Sequence, residues 1–279
     1  MNSSRAKIPR REALEKVGAG TLLALGLWPG ALRAGNEALP GSFRFLVIND
    51  THCMSPECSK YLSEVVRQMK GANARFCLHA GDLTDKAEQE YFTAVKEIFA
   101  GLAVPLYPVI GNHDHHAHIA YTERNAYTQT FPQRINYHFH HAGWQFVGLD
   151  TTQGTTSNGT RIQPETLRWL DDNLPELNRT SPTVIFTHFP LGAGVPLRPM
   201  NADDLLDRFR DFNLRAVFSG HYHRFTERTA GKVVLTTNCC CSHKSSNRGG
   251  GPEKGYFVCT AQNGLILRDF VEFKPVAGA

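Results

Sequence analysis

Five apolar segments of this chain each end in aspartate, histidine or both, and this repeated pattern constrains the fold more than any other feature. They cover residues 46–52, 76–85, 104–114, 184–188 and 216–223. Short apolar runs of this kind predict buried strands, the third of them over 104–110. Because ligands gather at the carboxyl ends of strands in open α/β sheets, we expect the five strand ends to form one site.

The remaining pattern predicts outer helices and a β-rich second half. Helical spacing of apolar residues predicts helices over 59–69, 89–99, 164–174 and 202–212. Alternating or apolar runs predict strands over 137–140, 144–149, 225–229, 232–237, 256–260 and 265–271. The elements predict an α/β fold in which two mixed sheets pack face to face with helices outside. The loop over 151–160, rich in Thr, Gly, Ser and Asn, is predicted to be a mobile lid.

Seven side chains at these strand ends form a candidate metal site: Asp50, His52, Asp82, Asn112, His188, His221 and His223. Oxygen and nitrogen donors without a thiolate suit Fe, Mn or Zn. In the Asp-x-His and His-x-His pairs, residues two apart in extended backbone point to the same side and can reach one cluster. Seven ligands exceed the need of one catalytic ion and suit two ions that share a carboxylate.

The order of the motifs resembles the calcineurin-like metallophosphoesterases over nearly the whole chain after residue 34. The motifs are Asp50-x-His52, Gly81-Asp82, Gly111-Asn112-His113-Asp114, His188 and Gly220-His221-x-His223. The resemblance implies a four-layer αββα sandwich and two divalent or trivalent metal ions. It implies that Asp50, His52 and His223 bind the first ion. It also implies that Asn112, His188 and His221 bind the second, that Asp82 bridges, and that a hydroxide between the ions attacks phosphorus.

The same resemblance gives His113 a catalytic role beside the phosphate, either stabilising developing charge or protonating the leaving oxygen. Asp85 and Asp114 both qualify as the carboxylate that orients His113. The related protein serine/threonine phosphatases carry an Asp three places after the bridging Asp, which favours Asp85. The chain lacks their following Arg-Gly and the iron-binding Tyr of purple acid phosphatases. In motif spacing it is most similar to the cyclic-nucleotide phosphodiesterase and glycerophosphodiesterase group.

The charge distribution argues against a long nucleic acid as a partner. The formal net charge is +4, but six basic and two acidic residues within 1–34 supply it, and the remainder carries 24 of each sign. We therefore expect a small phosphoester substrate, with a phosphodiester favoured. A phosphomonoesterase and a non-catalytic exported protein that binds metal or phosphate remain as alternatives.

The N-terminus resembles a twin-arginine export signal. Arg10-Arg11 precede a moderately apolar, Gly-containing run over 17–32, which is too short and too Gly-rich to predict a membrane span. We expect a signal segment over 1–34, a single domain over 35–279 and an exported, periplasmic or extracytoplasmic protein. There are two alternatives. The segment could be an amphipathic N-terminal helix of the fold, or it could stay uncleaved as an anchor and be the one membrane contact.

Cysteines and further histidines give four secondary predictions. For an exported chain with seven cysteines, a disulfide between Cys53 and Cys58 is a hypothesis. The run 239–241 is interpreted as strand residues at the end of a hairpin, with a soft-metal site as the alternative. His79 is predicted to be buried and hydrogen-bonded. The histidines at 115, 116 and 118 are predicted to lie in a solvated loop over the cleft, with contact between His115 or His116 and substrate as the alternative.

Overall fold

The computed structural model describes residues 41–117 and 122–274. The proposed signal segment over 1–34 lies outside the described residues, so export stays a prediction. No helix in the described part of the chain has the length and apolar character needed to cross a membrane.

Thirteen strands form within the described ranges. They are β1 (Phe43–Ile48), β2 (Cys77–His79), β3 (Leu106–Pro108), β4 (His116–Ala117), β5 (Thr122–Glu123), β6 (Tyr137–His141), β7 (Trp144–Leu149), β8 (Thr183–Thr187), β9 (Leu214–Ser219), β10 (Thr226–Ala230), β11 (Val233–Thr237), β12 (Gly255–Gln262) and β13 (Leu265–Glu272). Five helices accompany them: α1 (Pro56–Met69), α2 (Gln89–Ala100), α3 (Asn125–Thr130), α4 (Pro164–Asn173) and α5 (Ala202–Arg208). Short 3-10 turns follow α1 and α4 and occupy Asn112–Asp114.

The strands build two mixed sheets, as predicted. The first sheet has the order β13-β12-β1-β2-β3, and the second has the order β10-β11-β9-β8-β7-β6. Strands β1, β2 and β3 are parallel neighbours in the first sheet, and β7, β8, β9 and β11 are parallel neighbours in the second. Parallel neighbours bring their carboxyl ends to one edge of each sheet, which is where the predicted ligands follow.

Three apolar cores define four layers, so the αββα sandwich is confirmed. Aromatic rings fill the space between the sheets, where Phe45 and Phe76 stack with ring centres 5.3 Å apart. Leu62 of α1 and Phe92 of α2 pack on the outer face of the first sheet. The outer face of the second sheet is covered by α4 and α5, with Leu205 fully buried. The rigid central layers therefore position the loops at the strand ends.

Several element boundaries differ from the predicted ones, among them the end of α5 at Arg208 in place of 212, and two of the differences have clear local reasons. Helix α1 begins three residues earlier than predicted because the Ser55 hydroxyl accepts a hydrogen bond from the Cys58 N–H and Pro56 occupies the first turn. Strand β3 is shorter than the predicted 104–110 run. Pro105 precedes it and Pro108 is its last residue, and neither has an N–H to donate to a ladder.

The cysteine predictions are corrected. All seven cysteines are free thiols, and the Cys53–Cys58 disulfide is not formed. Each of the two thiols instead contacts a hydroxyl, that of Ser59 at 3.3 Å and that of Ser55 at 3.4 Å. The run 239–241 is not in a strand, since β11 ends at Thr237. Its backbone N–H groups are taken by the side-chain oxygens of Asn238 and Asn247 and by a main-chain carbonyl, in place of a ladder.

Candidate metal centre

The predicted ligands converge at the shared edge of the two sheets, each just after a strand. Asp50 follows β1, Asp82 follows β2 and His221 follows β9, with φ angles of 51°, 54° and 65°. His52 and His223 also have positive φ, at 43° and 49°. Left-handed backbone at a residue other than glycine costs about 1–3 kcal/mol and clusters at functional sites. The backbone therefore turns sharply after each strand and carries these side chains into one cleft.

The first cluster of donor atoms consists of Asp50, His52, Asp82 and His223. One ligand atom from each lies within 4.8 Å of all the others. The Nε2 atom of His223 is 3.2 Å from Asp50 Oδ1 and 3.2 Å from His52 Nε2. The Nε2 atom of His52 lies 3.7 Å from Asp82 Oδ2. Four donors thus face one point.

The second cluster shares Asp82 and adds His188 and His221. The Nε2 atom of His188 lies 3.2 Å from Asp82 Oδ2 and 3.2 Å from His221 Nδ1. Asn112 belongs to the same group, because its Oδ1 is 3.1 Å from His188 Nε2. All seven predicted ligands are therefore brought together, with the Asp82 carboxylate common to both clusters.

The donor set fits metal ions. In each cluster, two imidazole nitrogens face each other at 3.2 Å beside carboxylate oxygens. Lone pairs held this close repel unless a proton or a cation lies between them. Six of the seven side chains are 8% exposed or less, and His223 is half-buried, so water does little to screen that repulsion. The clusters form a dinuclear metal-binding site of Asp and His residues.

Hydrogen bonds from the far side of three imidazoles fix the rings that face the clusters. The second ring nitrogen of His188 donates to the Ala80 carbonyl at 2.9 Å, and that of His223 donates to the Ser246 carbonyl at 3.1 Å. The Nε2 atom of His221 donates to the Ser157 carbonyl at 2.8 Å. Such bonds set the tautomer and orientation of metal ligands. Ser157 belongs to the 151–160 loop, which therefore lies against the site; its role as a mobile lid stays a prediction.

Mutual electrostatics shift the pKa values of the cluster in the absence of metal. Burial would raise the pKa of Asp82, but His188 beside it holds that pKa well below its usual range. Burial would lower the pKa of His188, but the Asp82 carboxylate raises it to about 9. Burial lowers the pKa of His221 to about 4. The cluster therefore holds protons on some ligands and not on others until a metal replaces them.

His113 lies beside the clusters and stays accessible, with 42% of its side chain exposed. Its Nδ1 is 3.0 Å from the Asp85 carbonyl oxygen and 3.5 Å from Asp85 Oδ1. The same carboxylate oxygen is 3.3 Å from His52 Nδ1. Hydrogen bonding to His52 lowers the pKa of Asp85. Asp85 therefore contacts both a predicted metal ligand and the predicted catalytic histidine.

Asp114, the alternative partner of His113, is fully buried and bonds to other groups. Its two carboxylate oxygens accept hydrogen bonds from the N–H groups of Leu83, Thr84 and Gly111 and from the Thr84 hydroxyl, at 2.9–3.2 Å. Burial and the charge of Asp82 raise the pKa of Asp114 to about 7. Asp114 therefore ties the loop after β2 to the loop after β3.

Two glycines of the motifs leave room for the carboxylates of Asp82 and Asp50 against the backbone. A Cβ atom on Gly111 would lie 2.1 Å from Asp82 Oδ1, and one on Gly220 would lie 2.3 Å from Asp50 Oδ2. Real Cβ atoms do not approach oxygen this closely. Glycine is required at both positions because the backbone passes directly against a ligand.

The mouth of the site and a neighbouring cavity meet at His115. The mouth, about 440 Å³, is lined by Lys86, His113 and His115 among others. The adjoining cavity of about 380 Å³ is lined by polar groups that include Arg124 and Asp150. His115 is 8% exposed and its Nε2 lies 2.8 Å from Thr152 Oγ1, so the prediction of a solvated position is wrong for this residue.

Of the other histidines, His116 is exposed on β4, and position 118 lies outside the described residues. His79 is fully buried with its Nε2 3.1 Å from Thr51 Oγ1, as predicted.

The sequence reasoning missed two residues that contact ligands. The Asn49 amide donates to Asp50 Oδ2 at 2.6 Å, and the position of Asn49 directly before the Asp-x-His motif was the available signal. Cys240 lies near His223 and, with Asp50, raises the pKa of that imidazole, and Lys254 contacts the same thiol at 2.9 Å. No local sequence pattern indicates the contact between Cys240 and Lys254, because these residues lie at the two ends of a long loop.

Comparison with known proteins identifies the family of this chain and several similar proteins. The sequence model of the family described as calcineurin-like phosphoesterase matches residues 43–225. The chain is 26% identical over 197 residues to the glycerophosphodiester phosphodiesterase GpdQ of Enterobacter lignolyticus (strain SCF1). That match spans 64% of this chain and 70% of that protein.

Solved structures share the fold. A dimetal phosphatase from Danio rerio superposes with a TM-score of 0.58 at 15% identity, over 82% of this chain and 95% of that one. The purple acid phosphatase PPD1 of yellow lupin (Lupinus luteus) gives 0.61 at 14% identity, over 83% of this chain and 51% of that one. At these identities the likeness concerns the fold alone.

Proposed function

Since this chain belongs to the calcineurin-like phosphoesterase family and is a metal-dependent phosphoesterase, we propose that it prefers small phosphodiesters as substrates. The observation that carries the proposal is the Asp82 carboxylate, which belongs to two donor clusters at once and lies beside a partly exposed histidine. A site that only stored metal would have no use for His113 at its mouth.

In this proposal, seven side chains hold two ions, which are Fe, Mn or Zn by the chemistry of the donors. Asp50, His52 and His223 would hold the first ion, and Asn112, His188 and His221 would hold the second. Asp82 belongs to both donor clusters and could serve either ion. When bound, the ions supply positive charge that activates water for attack on phosphorus and offsets charge on the phosphate oxygens.

His113 supplies the proton for the leaving group. The backbone and side-chain oxygens of Asp85 hold its Nδ1, so Nε2 is the nitrogen that faces the mouth and can donate. Asp85 acts through His113 as a positioning residue, because its backbone and side-chain oxygens fix the orientation of the ring. In this arrangement, the leaving oxygen of the diester accepts a proton from Nε2 of His113.

The cavity at His115 supports the preference for a diester. A monoester needs room for phosphate and one alcohol, whereas a diester carries a second ester group. The polar cavity beyond His115 supplies that room, and Arg124 is held there by Asp150 at 2.9 Å and by Glu165 at 2.9 Å. This lining suits a hydrophilic alcohol. The named activity of the Enterobacter lignolyticus relative, on glycerophosphodiesters, agrees with that chemistry.

The test compares bis(p-nitrophenyl) phosphate with p-nitrophenyl phosphate, first with the metals of the purified protein and then with added Mn²⁺. We expect higher kcat/KM on the diester, and a kcat lower by roughly 10²-fold or more in His113→Ala. His140→Ala, exposed on β6, is the matched control. Preference for the monoester would favour the phosphomonoesterase alternative. If the protein bound two metals but hydrolysed neither ester, the result would contradict a catalytic role and favour a binding role.

A further inference from the structure

The thiol of Cys240 is fully buried and lies 2.9 Å from the side-chain nitrogen of Lys254. Both groups also contact the Ser245 carbonyl oxygen. The half-buried lysine is therefore held with its amine against sulfur and does not extend into solvent. Neighbouring Cys239 and Cys241 have no lysine at their sulfur among the described residues. The contact selects one thiol out of three consecutive ones.

The two residues stand at the ends of a loop, 241–253, that touches a metal ligand. The Ser246 carbonyl in this loop accepts the hydrogen bond from His223 Nδ1, and the Arg248 N–H donates to the His223 carbonyl at 3.0 Å. Asn247 adds a bond of 2.9 Å from the Cys240 N–H. A link between the two ends of this loop would therefore also restrain the Ser246 carbonyl and the Arg248 N–H, which orient His223.

We propose that Cys240 and Lys254 form a covalent sulfur–nitrogen cross-link when a hydroperoxide oxidises Cys240, and that this link fixes the 241–253 loop around His223. The modification site is separate from the phosphoester chemistry and does not depend on which ester is hydrolysed. Its reactant is the hydroperoxide class of oxidant, which takes the two electrons that the new bond releases.

The chemistry balances in two steps. Hydrogen peroxide oxidises the thiol to a sulfenic acid, RSH + H₂O₂ → RSOH + H₂O. The neutral amine of Lys254 then attacks sulfur, the S–O bond breaks, and water leaves, RSOH + R′NH₂ → RS–NHR′ + H₂O. Sulfenic acids condense in this way with a backbone nitrogen to give sulfenamides, and the Lys254 amine takes the place of that nitrogen here. The protein loses two hydrogen atoms in total, and a thiol reductant reverses the step.

Closing the loop should slow the loss of metal. The cross-link shortens the free span between residues 240 and 254, and a constrained loop has fewer open conformations in which His223 loses its support. We expect the metal held by His223 to dissociate several-fold more slowly from oxidised than from reduced protein.

Peptide mapping tests the cross-link on the zinc-loaded full chain, since Zn²⁺ has no redox chemistry of its own. After mild peroxide treatment and trypsin, the fragment 233–244 should be joined to the fragment 249–268 with the loss of two hydrogens. Trypsin should no longer cut after Lys254. Lys254→Arg and Cys240→Ser should each abolish the joined pair. Lys244→Arg, in the same loop, and Cys239→Ser should keep it. Absence of the pair in the wild type, or its persistence in Lys254→Arg, would overturn the proposal.

Zinc release to a chelator provides the second readout. Oxidised wild type should release zinc more slowly than reduced wild type, and the difference should vanish in Lys254→Arg. Equal release rates in the two redox states of the wild type would overturn the link between the cross-link and His223.

Discussion

The backbone N–H of His113 donates a hydrogen bond of 2.9 Å to Oδ1 of Asp82. Oδ2 of the same carboxylate lies 3.2 Å from His188 Nε2. One side chain thus connects the loop after β2 with the loop after β3 and with the end of β8 in the other sheet. The position of the candidate catalytic histidine is therefore set by the residue that the two metal clusters share.

Gly111→Ala should disrupt the site through this carboxylate. The added Cβ would lie 2.1 Å from Asp82 Oδ1, so either the loop or the carboxylate must move. We expect loss of at least one bound metal per chain, and destabilisation by about 1–3 kcal/mol. Metal analysis and denaturant unfolding measure the two effects. Gly71→Ala, with open space around its Cβ, is the matched control. An alanine variant that keeps both metals would contradict the close approach.

Asp114→Asn should destabilise the protein. Its carboxylate accepts four hydrogen bonds from buried donors, and an amide has one oxygen to offer in place of two. The N–H groups that then face the amide nitrogen lose their acceptor, at about 1–3 kcal/mol for each buried group. Denaturant unfolding measures the change. Unaltered stability with lost activity would instead assign Asp114 a role in orienting His113.

Asp85→Asn should act on turnover more than on stability. Asp85 is partly exposed and contacts His113 and His52 through its carboxylate, so the variant weakens the orientation of His113. We expect kcat to fall roughly tenfold to a hundredfold, within the range of general acid catalysis, with little change in unfolding. Steady-state kinetics on the diester give the number. The pH profile of kcat should shift as well, which a purely structural role would not cause.

The pKa values of the ligand histidines predict opposite pH responses for metal-free and metal-loaded protein. Nearby carboxylates raise the pKa of His188 to about 9 and that of His223 to about 11, against an ordinary value of 6.5. Their stabilisation of the metal-free fold is complete below pH 6.5 and is lost as pH rises through 9 and then 11. Metal must displace these protons, so metal affinity should rise with pH over the same range.

Unfolding of chelated protein at pH 7 and pH 9 tests the first half of this prediction, and metal titration in buffers of different ionisation enthalpy tests the second. Greater stability of the chelated protein at pH 9, or metal binding without proton release, would contradict the assignment of protons to these histidines.

The grouping of the candidate ligands could be predicted from the sequence because the pattern that indicates it is local. Each ligand lies just after a strand, and the spacing of Asp50 with His52 and of His221 with His223 is visible in three residues. Asp85 and Asp114 could not be separated in this way. The partners of Asp114 at Leu83 and Thr84 lie about thirty residues away, so its burial depends on how two loops pack. The irregular path of 239–241 likewise depends on Asn247, which the strand pattern does not contain.

The most direct test of two ions sharing Asp82 is the metal content of wild type and Asn112→Ala by elemental mass spectrometry. Within the described residues, Asn112 contacts the second cluster through His188, so its loss should leave the first cluster intact. We expect two ions per chain in the wild type, one in the variant, and a large loss of diester hydrolysis with it. One ion per wild-type chain, or two ions and full activity in the variant, would contradict the account.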